Sequence, residues 1–195
     1  MVAEGSQREL PALTTDRMEL RPAGNDDLAL LTSLNSDPAV MTYIKGRPAT
    51  PEETEAEWYR RLARQSEPSR GLGYWLGFEA GAFVGWWSAS WFAPQPEVSG
   101  IGYRLCSSGW GRGLATEGAC AMIKQAFNDP EVARVAASTM AVNTSSRRVL
   151  EKLGMTHTST WSSRGKEAIP GWEQGEVGYE LARPGWDSLR QLMPS

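Results

Sequence analysis

The stretch Gly109-Trp110-Gly111-Arg112-Gly113 constrains this chain more than any other. It stands between an alternating run, Val98 to Leu105, and a run of helical spacing that opens near Leu114, so the chain passes here from strand to helix through a glycine-rich turn. Such a turn lets backbone N–H groups and the positive end of the helix dipole meet an anion. Glycine serves because a side chain would hold a diphosphate away from the amides, and because positive φ is cheap only for glycine. A tight structural turn is the plainer use of the same residues. A dinucleotide fingerprint needs G-x-G-x-x-G after the first strand, and a P-loop needs a closing Gly-Lys-Ser/Thr. Neither fits, since Leu114 and Ala115 follow Gly113.

The rest of the chain reads as strands and helices around this turn. Arg17 to Arg21 alternates as a short half-buried strand, and Asn25 caps a helix carrying Leu28, Leu31 and Leu34. Thr50, Pro51 and Glu53 open a second helix, with Trp58, Leu62 and Tyr59 on its buried side. Tyr74 to Glu79 and Ala82 to Phe92 form a hairpin about Gly81, which Pro94 and Pro96 end. The helix from Leu114 stops at Asp129 and Pro130, and Arg134 to Met140 is the next strand. Asn143 or Thr144 caps a helix that ends at Gly154, and Met155 to Trp161 and Val177 to Leu181 are the last strands. This order predicts a mixed sheet covered by helices. Residues 1–12 read as a flexible leader, 13–190 as one domain and 191–195 as a tail.

Composition narrows the function classes. A net charge of -3 and a pI near 5.3 argue against a nucleic-acid or anionic-membrane surface, which needs clustered Lys and Arg. No apolar run approaches the roughly 18 residues that span a bilayer. Cys106 and Cys120 make no disulfide framework, and Met1 to Leu10 has no apolar signal region, so a cytoplasmic setting is expected. No His, Cys and carboxylate cluster has metal-ligand spacing, so no metal is expected. Nine tryptophans exceed what a core of this size needs, which points to an aromatic groove or a homodimer surface.

Two motifs carry a resemblance. Ile101-Gly102-Tyr103-Arg104-Leu105 with Trp110-Gly111-Arg112-Gly113-Leu114-Ala115-Thr116-Glu117 resembles the acetyl-CoA signature of GCN5-related N-acetyltransferases (GNAT), in particular the RimJ/RimL-like branch. Asn143, Ser146 and the run Arg148 to Met155 are similar to that branch's N-x-x-S-x-R-V-L-E-K-L-G-F helix. The resemblance implies an α/β acyl-CoA N-acyltransferase fold with a splayed sheet, acetyl-CoA as co-substrate, and a primary amine attacking the thioester directly. It implies that Tyr103, Arg104 and Leu105 hold the pantetheine arm through backbone groups, and that the turn from Trp110 to Thr116 holds the diphosphate. Asn143 would then contact the cofactor, and Ser146 would stand near the sulfur as a donor to the departing thiolate, with Tyr103 beside the reacting centre. A helix cap and a first-turn hydroxyl are the bland uses of Asn143 and Ser146. A longer donor such as succinyl-CoA and a catalytically weak acyl-CoA-binding module remain alternatives.

One departure bears on mechanism. Many members of this branch carry Glu two residues before the Gly-Tyr pair, as a general base; here that position is Gly100. An acceptor with a low-pKa amine, or a base from elsewhere, is therefore expected. His157, the sole histidine, is a candidate base but more commonly a structural residue at such a place. Glu117 reads as a first-turn carboxylate favoured by the dipole, and Cys120 as buried. Trp86 and Trp87 are adjacent on a strand and point to opposite faces. Tyr43, Trp75 and Trp87 are the residues expected on the acceptor side.

Overall fold

Eight strands form one sheet in a computed structural model that describes residues 9–91 and 94–192. In chain order they are β1 (Leu13–Thr14), β2 (Glu19–Pro22), β3 (Gly73–Glu79), β4 (Ala82–Trp91), β5 (Val98–Leu105), β6 (Arg134–Met140), β7 (Thr156–Trp161) and β8 (Glu176–Ala182). Their order across the sheet is β1-β2-β3-β4-β5-β6-β8-β7, and only the β5–β6 pair is parallel. Six helices cover it: α1 (Leu28–Ser36), α2 (Pro38–Met41), α3 (Pro51–Gln65), α4 (Leu114–Phe127), α5 (Thr144–Lys152) and α6 (Arg183–Leu192).

Alternation along the strands divides the apolar side chains between two cores. Trp75, Trp87, Ile101, Val135, Tyr179 and Leu181 pack beneath α4 and α5. Tyr74, Leu76 and Trp86 point the other way and meet Leu31, Leu34 and Trp58 from α1 and α3. The start signal read for α3 is complete: Thr50 accepts from the Glu53 amide while the Glu53 carboxylate accepts from the Thr50 amide. Of the residues expected on its buried side, Trp58 is buried and Leu62 packs partly against the core, but Tyr59 is 43% exposed. Helical spacing marks a face about 100° wide, and Tyr59 falls one residue beyond it.

The structure adds β1, α2 and α6, which the sequence reading lacks, and the turn before α1 is a short 3-10 segment, Asn25–Asp27. Leu10 packs on the α4 core and the Pro11 carbonyl accepts from Trp75 Nε1 at 2.7 Å, so these two residues of the segment read as a leader are part of the packed domain. Residues 1–8 of that leader, Phe92 at the expected end of β4 and residues 193–195 of the tail lie outside the described residues. Cys120 is only partly buried at the core margin.

Candidate active site

The site begins where the sheet comes apart. β5 and β6 pair at Val98–Arg134, Ser99–Val135 and Gly100–Ala136, and there the pairing stops. β5 runs on to Leu105 against β4, and β6 runs on to Met140 against β8. The edges Ile101–Leu105 and Ala137–Met140 therefore have no strand partner on their facing sides, and their outward backbone groups border a cavity of about 1120 Å3.

At the far end of β5 the chain enters the glycine turn. Gly111 and Gly113 have φ of 71° and 84°, and Gly113 is the N-cap of α4. This cap has no side chain and makes no capping bond, whereas α3 is capped by Thr50 and α5 by Asn143. The first-turn amides of α4 are thus left without a side-chain acceptor at the mouth of the gap, and a Cβ on Gly111 would meet no atom within 4 Å. These features fit an anion such as a diphosphate.

Ionic contacts brace the turn from outside. Arg17 Nη1 donates to the Arg112 carbonyl at 2.7 Å and Nε to Glu117 at 2.7 Å, while the Thr15 hydroxyl donates to Glu117 at 2.6 Å. Burial alone pushes the Glu117 carboxyl up, but these bonds outweigh it and hold the group below its ordinary range. Its charge is met by Arg17 before it can oppose an incoming anion. The Arg112 guanidinium turns away to Glu79, at 2.7 and 2.9 Å, so Arg112 offers the turn its backbone. Trp110 is exposed, with Nε1 donating to the Leu105 carbonyl; Ala115 and Thr116 border the cavity, and Leu114 is buried beneath the turn. The Arg104 side chain leaves the gap for the α1–α3 face, where it donates to Asn35 at 2.6 Å and to Glu57 at 3.2 Å.

The N-terminus of α5 closes the gap on the α4 side. Asn143 Oδ1 accepts from the Ser146 amide at 3.1 Å, which is the bland use foreseen for it, and both residues border the cavity. The Tyr103 hydroxyl lies 3.0 Å from Ser146 Oγ and donates to the Ser146 carbonyl at 3.3 Å, so the structure brings together the two residues expected at the reacting centre. Burial pushes the Tyr103 phenol up to about 12, with the Ser146 bond acting the other way. The phenol is then a neutral proton donor at working pH.

Linkage makes this testable. Below pH 10 the phenol is protonated folded or unfolded; between 10 and 12 the unfolded chain ionises first, so its stabilising effect is lost as pH rises through that window. The stability difference between wild type and Tyr103→Phe is expected to shift by on the order of 2 kcal/mol across it. Urea unfolding at successive pH values measures this, and parallel curves for the two proteins would contradict it.

The opposite face of the gap is a groove floored by small residues, Ser88 and Ser90 from β4 and Gly100 and Gly102 from β5. A Cβ on Gly102 would sit 2.8 Å from Ser88 Oγ, so the floor tolerates no larger residue there without a shift. Tyr74, Trp86 and Arg61 form one wall, with the Arg61 guanidinium 5.2 Å from the Trp86 ring, and Tyr43 stands exposed at the rim. Trp75 and Trp87, expected on the acceptor side, are fully buried on the other face; their indoles donate to the Pro11 and Ala115 carbonyls. On β4 it is Trp86 that lines the groove. His157 pairs with Tyr179, ring to ring at 5.6 Å, on the α4 side and away from the groove. Arg61 was absent from the sequence reading, and Tyr74 and Trp86 were read as hairpin residues without being placed at the groove; the alternation that buries Trp87 was the available signal for Trp86.

Among the described residues no group of His, Cys, Asp and Glu is placed to hold a metal ion, and no helix is long and apolar enough to cross a membrane.

Residues 17–156 match the Acetyltransferase (GNAT) domain. The chain is 36% identical over 196 residues to the FsC-acetyl coenzyme A-N(2)-transacetylase of Aspergillus fumigatus, a match covering 95% of this chain and 81% of that protein. In fold it is similar to a RimL ribosomal-protein alpha-N-acetyltransferase solved with coenzyme A, at a TM-score of 0.71 and 19% identity over 90% of this chain and 98% of that one. The aminoglycoside acetyltransferase AAC(6')-Ib, solved with ribostamycin and coenzyme A, superposes with a TM-score of 0.71 at 22% identity, again over 90% of this chain and 98% of the other.

Proposed function

The chain belongs to the GNAT acetyltransferase domain family, and from that premise we propose that it transfers an acetyl group from acetyl-CoA to a primary amine of low pKa by direct attack on the thioester. One observation carries this reading: the freed edge of β5, from Ile101 to Leu105, leads straight to the uncapped N-terminus of α4. Gly111 and Gly113 would receive the diphosphate, and backbone groups of Tyr103 to Leu105 the pantetheine arm. A backbone N–H of that edge also suits the oxyanion that forms during attack, because such a donor is fixed in place before the reaction. Ser146, backed by Tyr103, would return a proton to the thiolate. The two motifs, Trp110 to Glu117 and Asn143 to Met155, support the RimJ/RimL-like branch.

The acceptor is read from two features. Gly100 places no carboxylate on the β5 edge beside the attacking amine, which favours an amine that is already partly neutral at pH 7. A lysine-like amine near pKa 10.4 is about 0.04% neutral at pH 7, whereas an α-amino group near 7.8 is on the order of 10% neutral. The Aspergillus relative is named for transfer to an N(2) nitrogen, and an α-amine whose neighbouring carboxyl is bound as an amide or ester is of this low-pKa kind. Tyr43 at the rim, with Trp86, Tyr74 and Arg61 on the wall, would meet the acceptor.

Thermal unfolding with acetyl-CoA, succinyl-CoA, NAD or ATP tests the cofactor. At about 100 times Kd, acetyl-CoA is expected to add about 2.7 kcal/mol and raise Tm by about 5–10 °C. Thiol release with an amine panel tests the reaction: peptide and amino-acid-amide α-amines should outrun simple alkylamines at pH 7. The reverse order would sink the low-pKa acceptor, and a Tm response to NAD alone would sink the cofactor assignment.

A further inference from the structure

Acetyl transfer to an amine, the reading on which this inference rests, needs a group that accepts the ammonium proton, and Gly100 offers none. The register of the sheet supplies a candidate from the other side of the gap. Gly100 pairs with Ala136, and Ala136 with Glu180, so the three form one row across β5, β6 and β8. Residues paired directly across strands project on the same face. That face is the groove, because the alternate residues Val135, Tyr179 and Leu181 belong to the core under α4. All three members of the row border the same cavity.

We propose that Glu180 is the general base of this enzyme, standing in from β8 for the carboxylate missing at Gly100. Only the methyl group of Ala136 lies between the two positions. At a strand spacing of about 4.8 Å their Cα atoms are about 10 Å apart, and single bonds of about 1.5 Å carry a glutamate carboxylate about 4 Å from its Cα. An amine held above the Gly100–Ala136 junction is then within reach of Glu180 directly or through one water.

The other titratable groups near the gap are engaged or misdirected. Glu176, on the same face of β8, is held by Lys166 at 2.8 Å. Glu57 lies behind Trp86, gripped by Arg61 at 2.7 Å and Arg104 at 3.2 Å; burial pushes its carboxyl up, and the two guanidinium groups bring it back below the ordinary range. His157 is on the opposite face, with Nε2 3.0 Å from Thr160 Oγ1. Glu180 itself faces Arg134 of β6, whose Nε is 3.6 Å away and whose other end reaches Glu97 at 3.7 Å, and Thr156 of β7, whose hydroxyl donates to the Glu180 carbonyl. Its side chain is 41% exposed, so a proton it takes has a path to water.

In the step, the amine nitrogen bonds to the acyl carbon and the carbon–sulfur bond breaks. Glu180 removes the proton that the nitrogen sheds, and the thiolate receives one from the Tyr103–Ser146 pair on the other face. Base and acid thus stand on opposite sides of the sheet, with the reacting atoms in the gap between them.

The test compares wild type, Glu180→Gln and Glu180→Asp with acetyl-CoA and glycinamide as the probe amine. Glu180→Gln is expected to lower kcat/KM by about 100- to 10,000-fold, with Glu180→Asp recovering part of the loss. Toward acid pH, the logarithm of kcat/KM for wild type should steepen from a slope of about one, set by the amine, to about two once the carboxylate also protonates; Glu180→Gln should keep the single slope. The Tm response to acetyl-CoA should be the same in all three proteins, which separates a lost base from a lost fold or cofactor site. A Glu180→Gln enzyme with wild-type rate and the double slope retained overturns the assignment and leaves the transferase reading intact. A wild-type protein stabilised by acetyl-CoA that acetylates neither glycinamide nor any other amine overturns both.

Discussion

Trp87→Ala is expected to lower the unfolding free energy by about 3–5 kcal/mol and Tm by about 10 °C or more. Trp87 is fully buried, and two of its neighbours are glycines whose absent side chains make its space: a Cβ would lie 2.5 Å from the indole at Gly118 on α4 and 2.3 Å from it at Gly77 on β3. Because glycines have no side chains to swing inward, the cavity left by alanine cannot collapse, which puts the cost at the upper end of the range. The indole bond to the Ala115 carbonyl, 3.3 Å long, is lost as well, at the first turn of the helix that carries the glycine cradle. Thermal or urea unfolding checks the size of the loss. A stable Trp87→Ala protein whose only defect is a raised acceptor KM would return this tryptophan to the groove.

Gly111→Ala is expected to act the other way, sparing the fold and damaging the cofactor site. No atom lies within 4 Å of the new Cβ, so the stability cost is the left-handed backbone alone, about 1–2 kcal/mol. The methyl group occupies space that a diphosphate needs to reach the amides. Loss of one charge-assisted hydrogen bond is worth about 1.5–3 kcal/mol, so Kd for acetyl-CoA should rise about 10- to 100-fold, as titration calorimetry would read. An unchanged Kd would move the diphosphate off this turn.

These two positions show what local pattern reveals and what it conceals. The strand–turn–helix around Gly111 is a matter of near neighbours in sequence, and β5, β6 and α4 lie within a residue or so of their expected ends. Adjacent tryptophans on β4 must face opposite ways, but nothing local says which face α4 covers; that depends on Gly77 and Gly118, at 10 and 31 residues' remove from Trp87. The same limit hid Glu180. Alternation of Val177, Tyr179 and Leu181 puts it on the other face of β8, yet only the pairing through Ala136 brings it level with Gly100. α6 escaped notice because Pro184 and Gly185 open it, residues that read as a break although proline is tolerated in a first helical turn. The role of Arg17 was equally out of view, since it acts on Arg112 and Glu117 across 95 and 100 residues.

Within the sheet, the first five strands are paired to the last three at Val98–Arg134, Ser99–Val135 and Gly100–Ala136. In mechanical terms the sheet is two plates on a short hinge, with its pin at the apex of the gap and α4 laid across as a strut that touches β4, β5 and β6. A molecule bonded along the freed edge of β5 while resting on β6 behaves as a temporary extra strand. On the reading proposed here, the co-substrate is therefore also a splice that makes one cooperative unit of two half-sheets, and its free energy of binding is shared between holding the thioester and holding the protein together.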